Sequence, residues 1–325
     1  MRKLRLAVVL AAILSAVGSA AAQDWPTRAL TMVVPFAAGG IGDVLGRILS
    51  SRLSELLGRQ VIIENIGGAG GMAGAARVAK AAPDGYTFVL GSAGTHAHNQ
   101  TLYKSPLYNA ATDFAPVALV VEQPVLLVVR KDLPAGNLPE FIDYAKANQA
   151  RMQYGSPGTG SAVHLACAIL NAAAGVKVTH IPYRGGGPAM QDLIAGRLDY
   201  QCTGSTNAMP QLESKTIKAI ALLSLERSPI LPEIATAHEQ GLRDFEAPLW
   251  WALFLPKGTP PAIVAKLNEA AVATMNTPAV QQRLKETGYD LVAPERRSPD
   301  YLQKFVESEI AKWAAPIKAA GLSID

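Results

Sequence analysis

Apolar residues alternate along this chain between short β-branched runs and longer stretches with helical spacing, a pattern that predicts an α/β protein. Leu30 to Val34 reads as a buried strand. The turn Phe36-Ala37-Ala38-Gly39-Gly40 then leads into a helix to Leu57, with Val44, Leu45, Ile48, Leu49, Leu53, Leu56 and Leu57 on one face. Strands are expected at Val61 to Ile63 and Phe88 to Leu90, with a helix from about Met72 to Lys80 between them and a turn at Pro83-Asp84-Gly85. Strand, crossover helix and strand in that order imply a parallel sheet.

The unit then repeats. Val125 to Arg130 is strand-like and Leu138 to Asn148 helical, and Met152 to Tyr154 passes through Gly155-Ser156-Pro157-Gly158-Thr159-Gly160 into a helix from Ser161 to Ala173. Val178 to Ile181 and Ile217 to Leu222 bracket a helix from about Pro188 to Ala195. Trp250 to Leu255 is a further apolar strand, in which Trp250 and Trp251 point to opposite sides. Pro260 and Pro278 stand where helices begin, and helices from Pro260 to Met275 and from Pro299 to Ala320 close the chain. The economical arrangement is two α/β lobes, residues 23–123 with 252–325 and residues 124–251. Two crossing segments join them, and the cleft between lobes is the natural ligand site.

The N-terminus changes the picture of where the protein works. Arg2, Lys3 and Arg5 precede an apolar run from Leu6 to Val17, and small residues close on Ala20-Ala21-Ala22 before Gln23. This is the pattern of a secretory signal peptide cleaved near Ala22 and Gln23, with an apolar core too short to anchor in a bilayer. The expected compartment is therefore the periplasm. The chain carries 30 Lys+Arg against 26 Asp+Glu, and three of the basic residues fall in the signal. Without them the balance is near neutral and has no basic run, which argues against a nucleic-acid partner.

Two Gly-rich loops carry the candidate chemistry, Pro35 to Asp43 and Gly155 to His164, each following a strand and opening a helix. First-turn amides and the positive helix end make such a loop an anion site, and glycine lets the backbone approach a ligand. By itself either loop reads equally as a strand-to-helix turn. Gly68-Ala69-Gly70-Gly71-Met72-Ala73 fits a dinucleotide pattern, but the next strand ends in Leu90-Gly91-Ser92 with no acidic residue for a ribose, so it reads as a packing turn and no cofactor is expected. No G-x-S-x-G or H-E-x-x-H motif is present, so no catalytic residues are assigned. His96 and His98 lack Cys or carboxylate companions, so no metal is assigned either. His164, three residues into a helix, reads as a hydrogen-bonding residue rather than a base. Cys167 and Cys202 form either a disulfide or two buried thiols.

The chain resembles the Bug family, extracytoplasmic receptors of tripartite tricarboxylate transporters. Trp25-Pro26-Thr27-Arg28, Val34-Pro35-Phe36-Ala37-Ala38-Gly39-Gly40 with Asp43, and Glu64-Asn65 with Gly68-Ala69-Gly70-Gly71 carry the resemblance in the first part. Ala82-Pro83-Asp84-Gly85-Tyr86, Asp113-Phe114-Ala115-Pro116-Val117, Tyr154-Gly155-Ser156 with Gly160-Ser161 and His164-Leu165, and Pro182-Tyr183-Arg184-Gly185 continue it. Arg227-Ser228-Pro229 with Leu231-Pro232, Glu239 with Gly241, and Pro256 with Gly258-Thr259-Pro260 complete the set. The resemblance implies a type II periplasmic-binding-protein fold, a small carboxylate gripped by both loops, and delivery to an integral-membrane permease, with the receptor a monomer. Matched residue by residue, the first contact loop is Phe36, Ala37, Ala38, Gly39 and Gly40 with Asp43. The second is Ser156, Pro157, Gly158, Thr159, Gly160 and Ser161 with His164, and Ser92, Ala93 and Thr95 line the cleft.

One segment departs from the family. Where many members carry Phe-Asp-Asn and then Pro-Ser, this chain has Gln201-Cys202-Thr203-Gly204-Ser205-Thr206-Asn207, with Thr203 and Ser205 as its cleft residues. The carboxylates compatible with the loops run from C4–C6 dicarboxylates and tricarboxylates to acidic amino acids and aromatic acids. The competing functions are a secreted α/β hydrolase and the binding lobe of a sensory system.

Overall fold

In the computed structural model, which describes residues 25–324, the strands assemble into two separate sheets. The signal peptide expected over residues 1–22, with its cleavage beside Gln23, lies outside the described residues. Among them, no helix is long and apolar enough to cross a membrane.

The first series runs β1 (Leu30–Val34), α1 (Ile41–Leu57), β2 (Val61–Asn65), α2 (Met72–Ala79) and β3 (Thr87–Ser92). A π-helical turn, Gly94–His98, then continues into α3 (Asn99–Leu102) before β4 (Phe114–Gln123). Pro124 alone separates β4 from β5 (Val125–Arg130). The second series follows as α4 (Leu138–Asn148), β6 (Gln153–Ser156), α5 (Ala162–Ala174), β7 (Thr179–Pro182), α6 (Gly186–Ile194), β8 (Tyr200–Gly204), α7 (Ser205–Glu213) and β9 (Ile217–Leu222). The chain returns as β10 (Leu249–Pro256), α8 (Pro261–Met275), α9 (Pro278–Glu286), β11 (Asp290–Leu291) and α10 (Pro299–Ala319).

The sheets are mixed, not parallel as expected. The first has the order β11-β4-β10-β3-β1-β2 and the second β7-β6-β8-β5-β9. In each, the strands of the β-loop-α units pair in parallel. The strand that has just arrived from the other lobe, β10 in the first sheet and β5 in the second, runs antiparallel to both its neighbours. The geometry of crossing accounts for this. The parallel strands end at the cleft, so a segment entering from the cleft must run back against them.

β10 begins at Leu249, so the lobe boundary expected at 251 falls inside a strand, and Trp250 and Trp251 both belong to the first sheet. β4, at ten residues the longest strand among the described residues, is not among the strands expected from the sequence. In the sheet Pro116 pairs with Phe254 next to an irregularity in the β4–β10 register, where a missing ladder donor is tolerated. α1 buries Leu45, Leu49, Leu53 and Leu57 against the first sheet, each worth about 1.5–3 kcal/mol. Leu56, expected on that face, is exposed.

Cys167 on α5 and Cys202 on β8 form a disulfide with Cα atoms 5.4 Å apart. Its 35-residue separation closes a loop whose lost entropy in the unfolded chain stabilises this lobe by roughly 3–4 kcal/mol.

Candidate ligand-binding site

The C-terminal ends of β1 and β6 face each other across the cleft, and the helices that follow them start there. A small, partly open pocket, with a cavity volume of about 30 Å³, lies between the lobes. It is lined by Gly40, Ile41 and Gly42 from the start of α1, Ser161, Ala162 and Val163 from the start of α5, Gly186 from the start of α6 and Asn207 from the first turn of α7. Phe36, Ser92, Pro157, Leu249 and Trp251 complete the wall. Four helix N-termini thus converge, where two loops were expected. Each presents first-turn N–H groups without intrahelical partners, together with the positive end of a helix dipole. The N-cap residues of α1, α6 and α7, all glycines, make no side-chain cap bond.

The described residues of the wall include no Asp, Glu, Lys or Arg. Three buried donors in it, Ser92 Oγ, Asn207 Nδ2 and Trp251 Nε1, have no hydrogen-bond partner in the protein. Such groups cost stability unless something in the pocket satisfies them. The arrangement suits a ligand rich in acceptors and negative charge, held by dipoles and hydrogen bonds rather than by a counter-ion. Phe36, Ile41, Pro157, Val163, Leu249 and Trp251 leave room for a short apolar segment between polar ends.

Of the expected contact residues, Phe36, Gly40, Ser92, Pro157 and Ser161 line the pocket. The others shape its loops or join the lobes. The Gly39 N–H donates to Asp43 Oδ2 at 2.9 Å, and Arg47 Nε donates to the same oxygen at 2.9 Å. Burial raises the Asp43 pKa, but the bonds from Arg47 and Gly39 outweigh it and hold the carboxyl below its ordinary value. Asp43 therefore fixes the first loop from behind. Gly39 itself, at φ +78°, has open space where a side chain would begin, so its need is conformational. Ala38 is exposed, and the Ala37 N–H donates across the cleft to the Arg184 carbonyl at 3.3 Å.

In the second loop, Ser161 caps α5 by accepting from the His164 N–H, and the Gly160 N–H donates to His164 Nδ1 at 3.3 Å. His164 is the hydrogen-bonding residue expected from its place in the helix. Ser156 closes on Gly158 within the loop. Thr159 meets the opposite lobe, where its carbonyl accepts from Tyr103 Oη at 3.2 Å. After β3, Thr95 Oγ1 accepts from the Ser92 N–H at 2.9 Å, and Ala93 is buried behind it.

Thr203 is buried in β8 opposite Leu126. Ser205 ties the lobes together near the crossing strands, its Oγ donating to the Gly288 carbonyl at 2.6 Å. Neither is a pocket wall. From that segment it is Asn207 that lines the pocket.

The site's remaining members left partial signals in the sequence. Gly185-Gly186-Gly187 before α6 is a third Gly-rich helix entry, so the helix expected from Pro188 in fact begins at Gly186. Trp251 lines the pocket at 3% exposure, while Trp250 is buried on the other side with Nε1 donating to Glu309 Oε2 at 3.0 Å. The Gly68–Ala73 turn packs tightly, and what it meets is the opposite lobe. His96 and His98 are interior rings lying against Phe254 and Trp313.

The sequence profile of the tripartite tricarboxylate transporter family receptors matches residues 45–322. MatC of Rhodopseudomonas palustris, solved with bound malate, is 40% identical over 90% of this chain and 100% of that one, with a TM-score of 0.88. The periplasmic binding protein BugD is 39% identical over 92% and 99% of the two chains, also at 0.88. A second R. palustris protein, solved with adipate, is 36% identical over 92% and 99%, at 0.87. A profile match over most of the chain and a shared two-lobed fold, with the inter-lobe pocket where a solute would sit, place this protein among the tripartite tricarboxylate transporter receptors, a family of solute-binding proteins and not of enzymes.

Proposed function

We propose that the protein closes its two lobes in the periplasm over a small dicarboxylate and delivers it, as a monomer, to the membrane permease of a tripartite tricarboxylate transporter. The observation that carries this reading is the convergence of four helix N-termini on a pocket with no charged side chain. Each charge-assisted bond from such an amide to a carboxylate oxygen contributes about 1.5–3 kcal/mol, enough for micromolar capture with a few bonds. Two similar proteins hold the dicarboxylates malate and adipate, whose negative charge suits such helix ends. The pocket offers no carboxylate for an ammonium group, which disfavours amino acids. The closing units are residues 23–123 with the C-terminal part, and residues 124 to the approach to Leu249.

A thermal-shift and calorimetric screen of C4–C6 dicarboxylates, tricarboxylates, aspartate, glutamate and aromatic acids tests the reading. Dicarboxylates should raise the melting temperature, and their methyl esters should not. If an ester binds as well as its acid, the anion site is wrong. Conversion of an ester to product by the purified protein would support the hydrolase reading instead.

A further inference from the structure

Behind the second contact loop lies a cluster of side chains that does not reach the pocket wall: His180 on the edge strand β7, His164 on α5 and Tyr154 on β6. The two imidazoles lie 4.1 Å apart between centroids, and His180 packs on Tyr154 at 4.9 Å. His180 Nε2 is 2.7 Å from Ser156 Oγ, which also contacts the Gly158 N–H at 3.1 Å and the Gly158 carbonyl at 3.2 Å. A hydroxyl has one proton to give and two lone pairs. All three contacts become hydrogen bonds under one assignment: Ser156 donates to the Gly158 carbonyl and accepts from both the Gly158 N–H and a hydrogen on His180 Nε2.

We propose that His180, acting with His164, is a positioning residue that holds Ser156 and Gly160 so that the second loop keeps its anion-binding shape, an inference that rests on the ligand-site reading above. Ser156 clasps both backbone polar atoms of Gly158, whose φ of +134° only glycine adopts without strain. His164 Nδ1 accepts from the Gly160 N–H, at φ +89°, so its own hydrogen sits on Nε2. One imidazole thus sets each glycine of the loop; His164 must be uncharged for Nδ1 to accept, and His180 must carry a hydrogen on Nε2. Burial pushes His164 down to about 4, and burial with the neighbouring His164 pushes His180 to about 3. The same assignment makes His180 the donor to Ser156. The pair therefore does not work as a base and a nucleophile, which separates it from the hydrolase it resembles in composition.

The test compares H180L with H180Q, and H164L with H164N, in the full mature chain. Gln carries an amide N–H where His180 Nε2 lies, and Asn an oxygen where His164 Nδ1 lies. Two readouts are taken: hydrogen exchange of the Gly158 and Gly160 amides in the unliganded protein, and binding of malate and of adipate. Each Leu variant should speed exchange of its own glycine and weaken binding about tenfold or more, and the Gln and Asn variants should recover most of both. Leu variants equal to wild type, or Gln and Asn variants no better than Leu, would overturn the proposal. So would imidazole nitrogen shifts showing His180 protonated at Nδ1 and bare at Nε2, a measurement that needs only the wild-type protein. Wild-type protein that binds neither acid would sink the carboxylate reading, while the exchange data would still judge the positioning role.

Discussion

A β-carbon added to Gly70 in the first lobe would stand 2.4 Å from the carbonyl oxygen of Thr159 in the second. The glycine turn that resembles a dinucleotide motif is therefore a seat for the opposite contact loop. Gly70→Ala should keep the lobes from meeting and weaken ligand binding by about tenfold or more, while the strain of alanine at φ +60° costs the unliganded fold only about 1–2 kcal/mol. Tyr103→Phe, which removes only the bond to Thr159, should weaken binding a few-fold, as expected for about 0.5–1.5 kcal/mol. Calorimetric titration beside thermal melts separates the two effects. Gly70→Ala with undiminished affinity would show that closure does not need this approach.

Trp251 presents a buried indole N–H with no partner in the protein, its ring against Gly42 and edge-on to Phe36 at 5.8 Å. Trp251→Phe keeps most of the apolar wall and removes the donor. Affinity for the true acid should fall about tenfold, within the range of a hydrogen bond to a charged acceptor. If affinity holds while the melting temperature drops, Trp251 serves packing alone.

Reduction of the Cys167–Cys202 bridge should lower the melting temperature by several degrees, on a loss of roughly 3–4 kcal/mol from the loop-closure estimate. β8, which carries Cys202, leads directly into α7 and Asn207, so binding should weaken as well. Thiol titration of the denatured, unreduced protein checks the bridge itself, and two free thiols would contradict it.

His96 and His98 are fully buried, and burial pushes both down to about 3. In the unfolded chain the same rings take up protons near the ordinary value of about 6.5. Below that pH the unfolded state binds protons that the folded state refuses. Stability is therefore fully present above about pH 6.5 and falls as pH drops towards 3, by up to about 1.4 kcal/mol per pH unit for each ring. Urea midpoints near neutral pH and near pH ~5 test this, and equal midpoints would refute it.

Residues adjacent in sequence were enough to reveal the β-loop-α units. β-branched runs, helical spacing at Val44 to Leu57 and glycines at 39–40 and 158–160 are local signals, because strand pleat, helix period and left-handed turns depend on neighbouring residues. The same local signals suggested two lobes and both Gly-rich loops, and the family resemblance added the residue-by-residue contacts, of which Phe36, Gly40, Ser92, Pro157 and Ser161 stand on the pocket wall. What the chain order could not express was which distant groups share a space. The pairing of β4 with β10, with its irregular register beside Pro116, is set only by the fold. That Asp43 Oδ2 holds the Gly39 amide and Ser205 Oγ holds the Gly288 carbonyl is visible only in the folded chain. Asn207, Gly186 and Trp251 become one wall through folding alone, since their side chains and amides arrive from three elements of two sheets. Electrostatics follows the same division. The starts of α1 and α5 are visible in the sequence, that of α7 is not, and the field of four N-termini on one pocket exists only when tertiary packing points them at a common centre.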